Sequence, residues 1–424
     1  MKKTWKLLLA LALVVSLCGG CAYLPLMGLV GGTSGADLSS QVTESEDGDT
    51  VTISKELYEQ YKKYDTLIEL QKQVEQYYYQ ETDEQTMLDG AAQGLLLSLG
   101  DPYTFYYTPE EYAKLWEDDE GSYAGVGMQI SGSYATGVCT ISRVFDGSPA
   151  QAAGVHRGDI LRKVEDLDVN VNTLNDAVDI MRGTPGTKVT VVMERDGEEI
   201  TFEMERQTVT VNWVESCMLS DDVGYIHLYQ FAGDCATQFE SALKSMVEQG
   251  AKGLVLDLRD NPGGWVNDAV SIADHFLDKG IVCYMEYKDG TREYEYSKNG
   301  KEDLELVVLV NEFSASSSEI LSGALQDRAD ATVVGVQSYG KGIVQYVLPV
   351  GTDGAGMQLT VAQYYTPNGN AVHKIGITPD VEIALPEGDN GMYELGDLAD
   401  PQLNKAFEVM QEKLEKNNSD AEAA

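Results

Sequence analysis

Three residues of this chain have the types and spacing for nucleophilic chemistry: Ser316, Lys341 and Gln345. They lie in residues 311–345, NEFSASSSEILSGALQDRADATVVGVQSYGKGIVQ, with Lys341 held between Gly340 and Gly342. A serine hydroxyl must lose its proton as it attacks a carbonyl. A lysine amine accepts that proton at neutral pH only where desolvation or nearby positive charge lowers its pKa from ~10.4 by roughly 3 units. Two backbone N–H groups must then face the oxyanion, and losing one typically costs about 2.7–4 kcal/mol. The sequence offers each part. The flanking glycines let the backbone approach closely at Lys341, and its sequence neighbours Tyr339, Ile343 and Val344 include no acid. If the following strand reaches back to Lys341, Gln345 shares its face and orients the amine through its amide oxygen. Ser316 opens a helix, where free N–H groups and the positive dipole end gather. The Ser317 N–H is one oxyanion donor. The Gly263–Gly264 turn, also at a helix start, is the natural second.

Each residue also has a plain structural reading. Ser316 and Glu319 fit a capping box, and a glycine-flanked lysine is ordinarily a solvated loop cation. The competing chemistries are weaker. The four histidines, His156, His227, His275 and His373, have no Ser-Gly elbow beside them, and neither GxSxG nor HExxH occurs. Residues 335–341 fit GxxxxGK, but Gly342 stands where a magnesium-binding Ser or Thr is needed, and a strand follows where a helix must begin.

The elements that position these residues read as α/β: a strand over 304–310, the serine-rich loop, a helix over 319–326, and strands over 331–336 and 343–350. Upstream lie a strand over 223–228, a helix over 236–248, a buried strand over 253–258 and a helix over 266–276. Downstream come a strand over 357–365, a polar helix over 401–416 and a frayed tail over 417–424. Between 112 and 206, short strands alternate with turns around one helix over 175–181, and Asp196–Gly197 marks a hairpin. Residues 54–80 and 84–99 have helical spacing. They make a small module, residues 53–111, whose apolar stripe packs either on a second copy or on its own chain.

The first residues form an export signal: Lys2, Lys3 and Lys6 precede an apolar run over 7–17. Cys21 fits a lipoprotein processing site in part, since Cys18 stands where leucine is usual. An uncleaved anchor within residues 1–30 is the alternative. In both cases the bulk of the chain lies outside the cytoplasm, membrane-associated or secreted, behind a disordered tether over 31–52. Acidic residues outnumber basic ones 69 to 30, a net charge of −39 that repels phosphate backbones, so no nucleic-acid partner is expected. Cys139, Cys217, Cys235 and Cys283 have neither disulfide nor zinc spacing and read as free thiols. No metal or other cofactor is expected.

Residues 112–206 resemble a PDZ domain. The matching stretches are GVGMQI at 125–130, SPAQAAGVHRGDIL at 148–161 and RGTPGTKV at 182–189. The resemblance implies a groove that adds a peptide's C-terminal end as an extra strand. Its carboxylate would rest on the loop of Gly125, Val126, Gly127 and Met128.

Together with the PDZ, four further stretches resemble the carboxyl-terminal processing peptidases, the S41 tail-specific proteases. They are DLRDNPGG at 257–264, VNEFSASSSEI at 310–320, Gly335 with Gly340, Lys341, Gly342 and Gln345, and YTPNG at 365–369 with GITPD at 376–380. The likeness runs from about residue 55 to 410. It implies Ser316 as nucleophile, Lys341, 25 residues on, as general base, and Gln345 as the orienting residue. The family pattern usually has alanine where Ser317 stands, a change that keeps the backbone donor. The implied architecture is multidomain α+β. A PDZ-like β domain (112–206) is inserted between the helical module and an α/β serine protease core of the ClpP/crotonase-like kind (207–385), followed by the C-terminal helix and tail (386–424). The implied function is cleavage of proteins near their C-termini. The PDZ domain would capture the tail and also block or expose the site, hinging near Ser122 and Arg206, with Arg182 linking its position to the site. A PDZ scaffold on a degenerate protease fold is the alternative, and it predicts loss of Ser316, Lys341 or Gln345.

Overall fold

Near-continuous apolar runs build the parallel sheet that carries the reactive loops. In the computed structural model, which describes residues 42–44, 51–119, 121–133, 136–298, 300, 302–389 and 391–423, the strands Val223–Leu228, Gly253–Asp257, Glu305–Val310, Thr332–Gly335 and Val381–Glu382 pair in parallel in that order. Val214–Met218 adds antiparallel at the Val223 edge. The period of two sends Ile226, Leu228, Leu254, Leu256, Val308 and Val310 to one face. There they meet the helices Cys235–Gln249, Val266–Asp274 and Ser317–Arg328. Val223, Tyr225, Val255, Val307 and Leu309 point to the other face.

That second face corrects the reading of the C-terminus. The helix expected to be polar and to fray after 416 spans Pro401–Ala423, and Leu403, Ala406, Met410 and Leu414 form a stripe buried against the sheet. A second omission is the hairpin Gly280–Tyr287 with Arg292–Ser297, in a stretch left unassigned from sequence; its first strand also pairs with the end of Gly356–Tyr365.

Asp257 and Arg259 tie the sheet to the start of the C-terminal helix. Arg259 bonds Asp257 Oδ2 at 2.6 Å, Asp400 Oδ2 at 2.8 Å and Gln402 Oε1 at 3.0 Å. Burial disfavours the Asp257 charge, but the Arg259 guanidinium and its hydrogen bonds outweigh that and hold the carboxyl at about 2. The unfolded value is ~3.9, so this contribution is complete above about pH 4 and is lost as pH falls through about 2. The urea midpoint of the wild type is therefore expected to drop over that window by the equivalent of roughly 2 kcal/mol more than that of Asp257→Asn. Parallel pH dependence in the two proteins would contradict the assignment.

The PDZ-like domain has strand order Glu198–Glu205, Lys188–Arg195, Ile160–Val164, Cys139–Val144, Met128–Gly132, with helices Pro149–Ala153 and Leu174–Met181. Asp196 and Gly197 both have positive φ, 54° and 83°, as a two-residue hairpin turn requires. The expected border at 112 lies inside the helix Pro109–Asp119, and the first strand is Ser122–Gly125. That strand pairs antiparallel with Gln207–Thr210, so the chain enters and leaves the domain along one ladder. Against the core, Arg143 bonds Glu215 at 2.6 Å and lies 3.7 Å from the Tyr229 ring centroid. Arg157 donates to Tyr393 O at 2.7 Å.

Among the described residues, 42–44, 51–112 and 346–360 form a second compact unit. The single helix expected over 54–80 is divided into Lys55–Tyr61 and Asp65–Tyr77 by a 3-10 turn, and Glu84–Leu97 is capped by Asp83. Phe105–Tyr107 pairs with residues 356–358. Along the apolar stripe, Tyr61, Tyr64, Leu67 and Ile68 are 44–54% exposed among the described residues. The tether expected over 31–52 is paired in part, because β-branched residues let Val42–Glu44 ladder with Val51–Ile53. The expected export segment, with Cys18 and Cys21, lies outside the described residues. Cys139, Cys217, Cys235 and Cys283 are unbridged. No helix among the described residues is long and apolar enough to cross a membrane.

Candidate active site

The serine-rich turn is stitched onto the 258–264 segment by side chains. Ser314 Oγ donates to Leu258 O at 2.7 Å, Ser318 Oγ to Asn261 O at 2.9 Å and Ser317 Oγ to Gly264 O at 2.8 Å. Ser316 is as buried as these three, at 0% exposure, yet its hydroxyl alone among the four has no hydrogen-bond partner. Its φ of 58° and ψ of −115° are strained for a residue with a side chain, a conformation costing on the order of 1–3 kcal/mol. Ser316 and Glu319 are placed as a capping box, but only the carboxylate half makes a hydrogen bond of normal geometry. Ser316 N–H donates to Glu319 Oε2 at 2.9 Å, while Glu319 N–H goes to the Ser316 carbonyl rather than its hydroxyl. A cap would bond that hydroxyl, and burying it unpaired has a cost. The absence of GxSxG had argued against a strained serine elbow. One forms here without flanking glycines, because the facing Gly263 makes room: a Cβ there would lie 2.7 Å from Ser316 Cβ.

Glu319 joins this turn to the lysine loop. Its Oε2 accepts from Ser316 N–H and Lys341 N–H, both at 2.9 Å, and its Oε1 accepts from Gly340 N–H at 2.7 Å and Ser338 Oγ at 2.6 Å. Tyr364 Oη donates to the Ser316 carbonyl at 2.9 Å. Burial pushes the Glu319 carboxyl up, and the hydrogen bonds from Ser338, Gly340, Ser316 and Lys341 pull it back. An acid does therefore sit beside the lysine loop, contrary to the reading from sequence neighbours. Lys341 is 2% exposed and Gln345 fully buried, which removes the solvated-loop alternative. The strand begins at Ile343, so Lys341 lies in the preceding loop rather than on the strand face with Gln345. Gly342 brings that loop against residue 373, where a Cβ would come within 2.1 Å of His373 N.

The glycine turn separates its two candidate donors. Gly263 N–H is already engaged by Asn261 Oδ1 at 2.9 Å, which removes Gly263 as an oxyanion donor. Gly263 O accepts from Phe231 N–H at 3.0 Å, so in the trans peptide Gly264 N–H points away from Phe231. Only glycine fits at 264: φ is 141°, and a Cβ would come within 2.0 Å of Phe231 O. Of the two glycines, Gly264 is therefore the one left as a candidate donor beside Ser317 N–H at the helix start.

The model of peptidase family S41 matches residues 222–383, that of the PDZ domain residues 140–195, and that of the activating protease CtpB N-terminal domain residues 25–111. The chain is 36% identical over 328 residues to the carboxy-terminal processing protease CtpA of Bacillus subtilis (strain 168), covering 77% of this chain and 70% of that protein. It is 35% identical over 369 residues to the carboxy-terminal-processing protease of Bartonella bacilliformis, covering 84% and 83%. The chain belongs to the carboxyl-terminal processing peptidases of family S41. The solved photosystem II D1 C-terminal processing protease is 30% identical to it, with a TM-score of 0.54 over 80% of this chain and 89% of that one. The peptidase is thus a serine-type hydrolase acting on proteins.

In this peptidase the GVGM loop is braced from behind. Ala150 N–H donates to Val126 O at 2.8 Å, and Phe145 N–H to Gly127 O at 3.0 Å. In front, the Tyr123 ring covers Gly125, and its oxygen faces the N–H groups of Met128 and Gly127. Burial pushes that phenol up to about 12, against the pull of the Arg182 charge and those N–H groups. Arg182 lies with its guanidinium 5.1 Å from the Tyr123 ring centroid, and its carbonyl accepts from Arg206 at 3.0 Å. It is placed at the PDZ border, beside the GVGM loop and not at the serine turn. A different link reaches the site: Trp116, on the helix entering the PDZ, stacks on Trp265, next to Gly264, at 6.0 Å. Sequence reasoning missed Glu319, Asn261 and Tyr364. Glu319 was read as a local cap, and the one signal for a wider role was its place between two reactive loops.

Proposed function

We propose that the peptidase hydrolyses exported proteins near their C-termini through a Ser316–Lys341 dyad, with Gln345 orienting the amine and the PDZ domain holding the substrate's tail. Ser316 Oγ attacks the scissile carbonyl as the Lys341 amine takes its proton. The oxyanion is held by Gly264 and Ser317 N–H. The intermediate collapses to an acyl-enzyme as Lys341 returns the proton to the leaving amine, and water then hydrolyses the ester by the same relay. The observation that carries this reading is the buried, unpaired hydroxyl of Ser316 in a strained turn, tied through Glu319 to the Lys341 backbone.

Tail capture is supported by the braced GVGM loop. A substrate carboxylate would displace the Tyr123 oxygen and gain Arg182 as counter-ion. The basic start and apolar run support export, with the N-terminal segment as membrane anchor or lipid site. The exposed tyrosine and leucine stripe of the helical module supports pairing with a second copy.

The test is a fluorogenic unstructured peptide ending in an apolar residue, assayed with a free carboxylate and as its C-terminal amide. Wild type is expected to cleave the free acid with a KM on the order of tenfold lower than the amide, a charge-assisted contact being worth about 1.5–3 kcal/mol, and Ser316→Ala is expected to cleave neither. Equal KM values would remove tail capture, and turnover by Ser316→Ala would remove the nucleophile assignment.

A further inference from the structure

The side chain of Ser317 does something its backbone does not. Its hydroxyl, fully buried, donates to the carbonyl of Gly264 at 2.8 Å. The N–H groups of these same two residues are the proposed oxyanion donors. The Gly264–Trp265 peptide is gripped at its other end by Trp265 N–H donating to Phe231 O at 2.9 Å. Two consecutive glycines, at φ 102° and 141°, give the turn backbone freedom that its hydrogen bonds to Asn261 and Phe231 must restrain. Phe231 holds both peptides of the turn to its own strand end, and the hydroxyl adds a direct tie from the Gly264 carbonyl to the helix start.

We propose that Ser317 is a positioning residue for the oxyanion hole: through its Oγ–Gly264 carbonyl bond it locks the glycine turn to the helix N-terminus and so sets the spacing of the two donors. The proposal rests on the assignment of Ser316 as nucleophile and of Gly264 and Ser317 N–H as donors. A donor held in place before reaction favours the transition state over bound substrate, so losing the lock lowers kcat and leaves KM in place.

The experiment compares wild type, Ser317→Ala, Ser317→Cys and Ser316→Ala, with active sites counted by a serine-directed phosphonate. Cysteine keeps the side-chain shape, fills slightly more space and supplies only a weak donor. Both Ser317 variants are expected to show about fivefold lower kcat, unchanged KM and about fivefold weaker inhibition by a peptide aldehyde, whose hemiacetal oxygen mimics the oxyanion; this is the size expected for one hydrogen bond of net ~1 kcal/mol. If both keep wild-type kcat and aldehyde affinity while Ser316→Ala is inactive, the lock falls and the nucleophile stands. If Ser317→Cys matches wild type and only Ser317→Ala is impaired, packing rather than the hydrogen bond is responsible, and the proposal is overturned. If Ser316→Ala turns over normally, both fall.

Discussion

Lys341→Ala is expected to lower kcat/KM by on the order of 10⁴-fold or more while leaving the fold intact. The hydroxyl of Ser316 stays in its strained turn but has nowhere to send its proton. Alanine keeps the Lys341 N–H, so the bond to Glu319 Oε2 survives. Lys341→Arg is expected to be equally inactive, since a guanidinium stays protonated and cannot act as the base. Steady-state kinetics on a fluorogenic peptide, with a circular-dichroism melt of each variant, checks this. A Lys341→Arg enzyme within tenfold of wild type would mean that positive charge, not proton acceptance, is what position 341 provides.

Glu319→Gln is expected to lose both stability and rate. The carboxylate receives N–H donors on both oxygens, from Gly340 on one and from Ser316 and Lys341 on the other. An amide offers one oxygen, and its NH₂ must face at least one of those N–H groups across 0% exposed surroundings. Leaving buried donors unpaired costs about 1–3 kcal/mol each, and moving the nucleophile and base turns by even ~1 Å costs on the order of 10²-fold in kcat/KM. The sign of the pH effect follows from the raised carboxyl. The native state favours the protonated form more than the unfolded chain does, so this stabilisation is complete below about pH 4 and declines as pH rises through the folded value. Glu319→Gln should remove that decline. Denaturant unfolding at several pH values, alongside kinetics, separates the two variants: Lys341→Ala loses rate alone, and Glu319→Gln loses both. An active, stable Glu319→Gln protein would show that the carboxylate is not what holds the two turns together.

The candidate site residues were legible in sequence wherever the signal is local. Ser316 at a helix start, Lys341 between glycines and Gln345 four residues on are short-range patterns, and the failed phosphate loop and missing elbow motif were decided by single residues. The PDZ stretches were legible for the same reason. What stayed hidden depends on chain segments far apart. Glu319 looks like a cap from its own helix, and its partners Ser338, Gly340 and Lys341 lie 19 to 22 residues further on. Gly263 and Gly264 are indistinguishable in a string, and only the Asn261 side chain and the Phe231 backbone tell them apart. The C-terminal helix looked polar because five buried apolar residues along 23 positions are a thin stripe, which becomes decisive only opposite Tyr225 and Leu309. Loss of the reactive residues was what a degenerate scaffold required, and all three are present and buried.

The most direct measurement is to react the protein with a serine-directed fluorophosphonate and locate the adduct by peptide mass. Modification of Ser316 in wild type, much slower modification in Lys341→Ala and none in Ser316→Ala is the predicted result. An adduct on Ser314, Ser317 or Ser318, or undiminished labelling of Ser316→Ala, would contradict it.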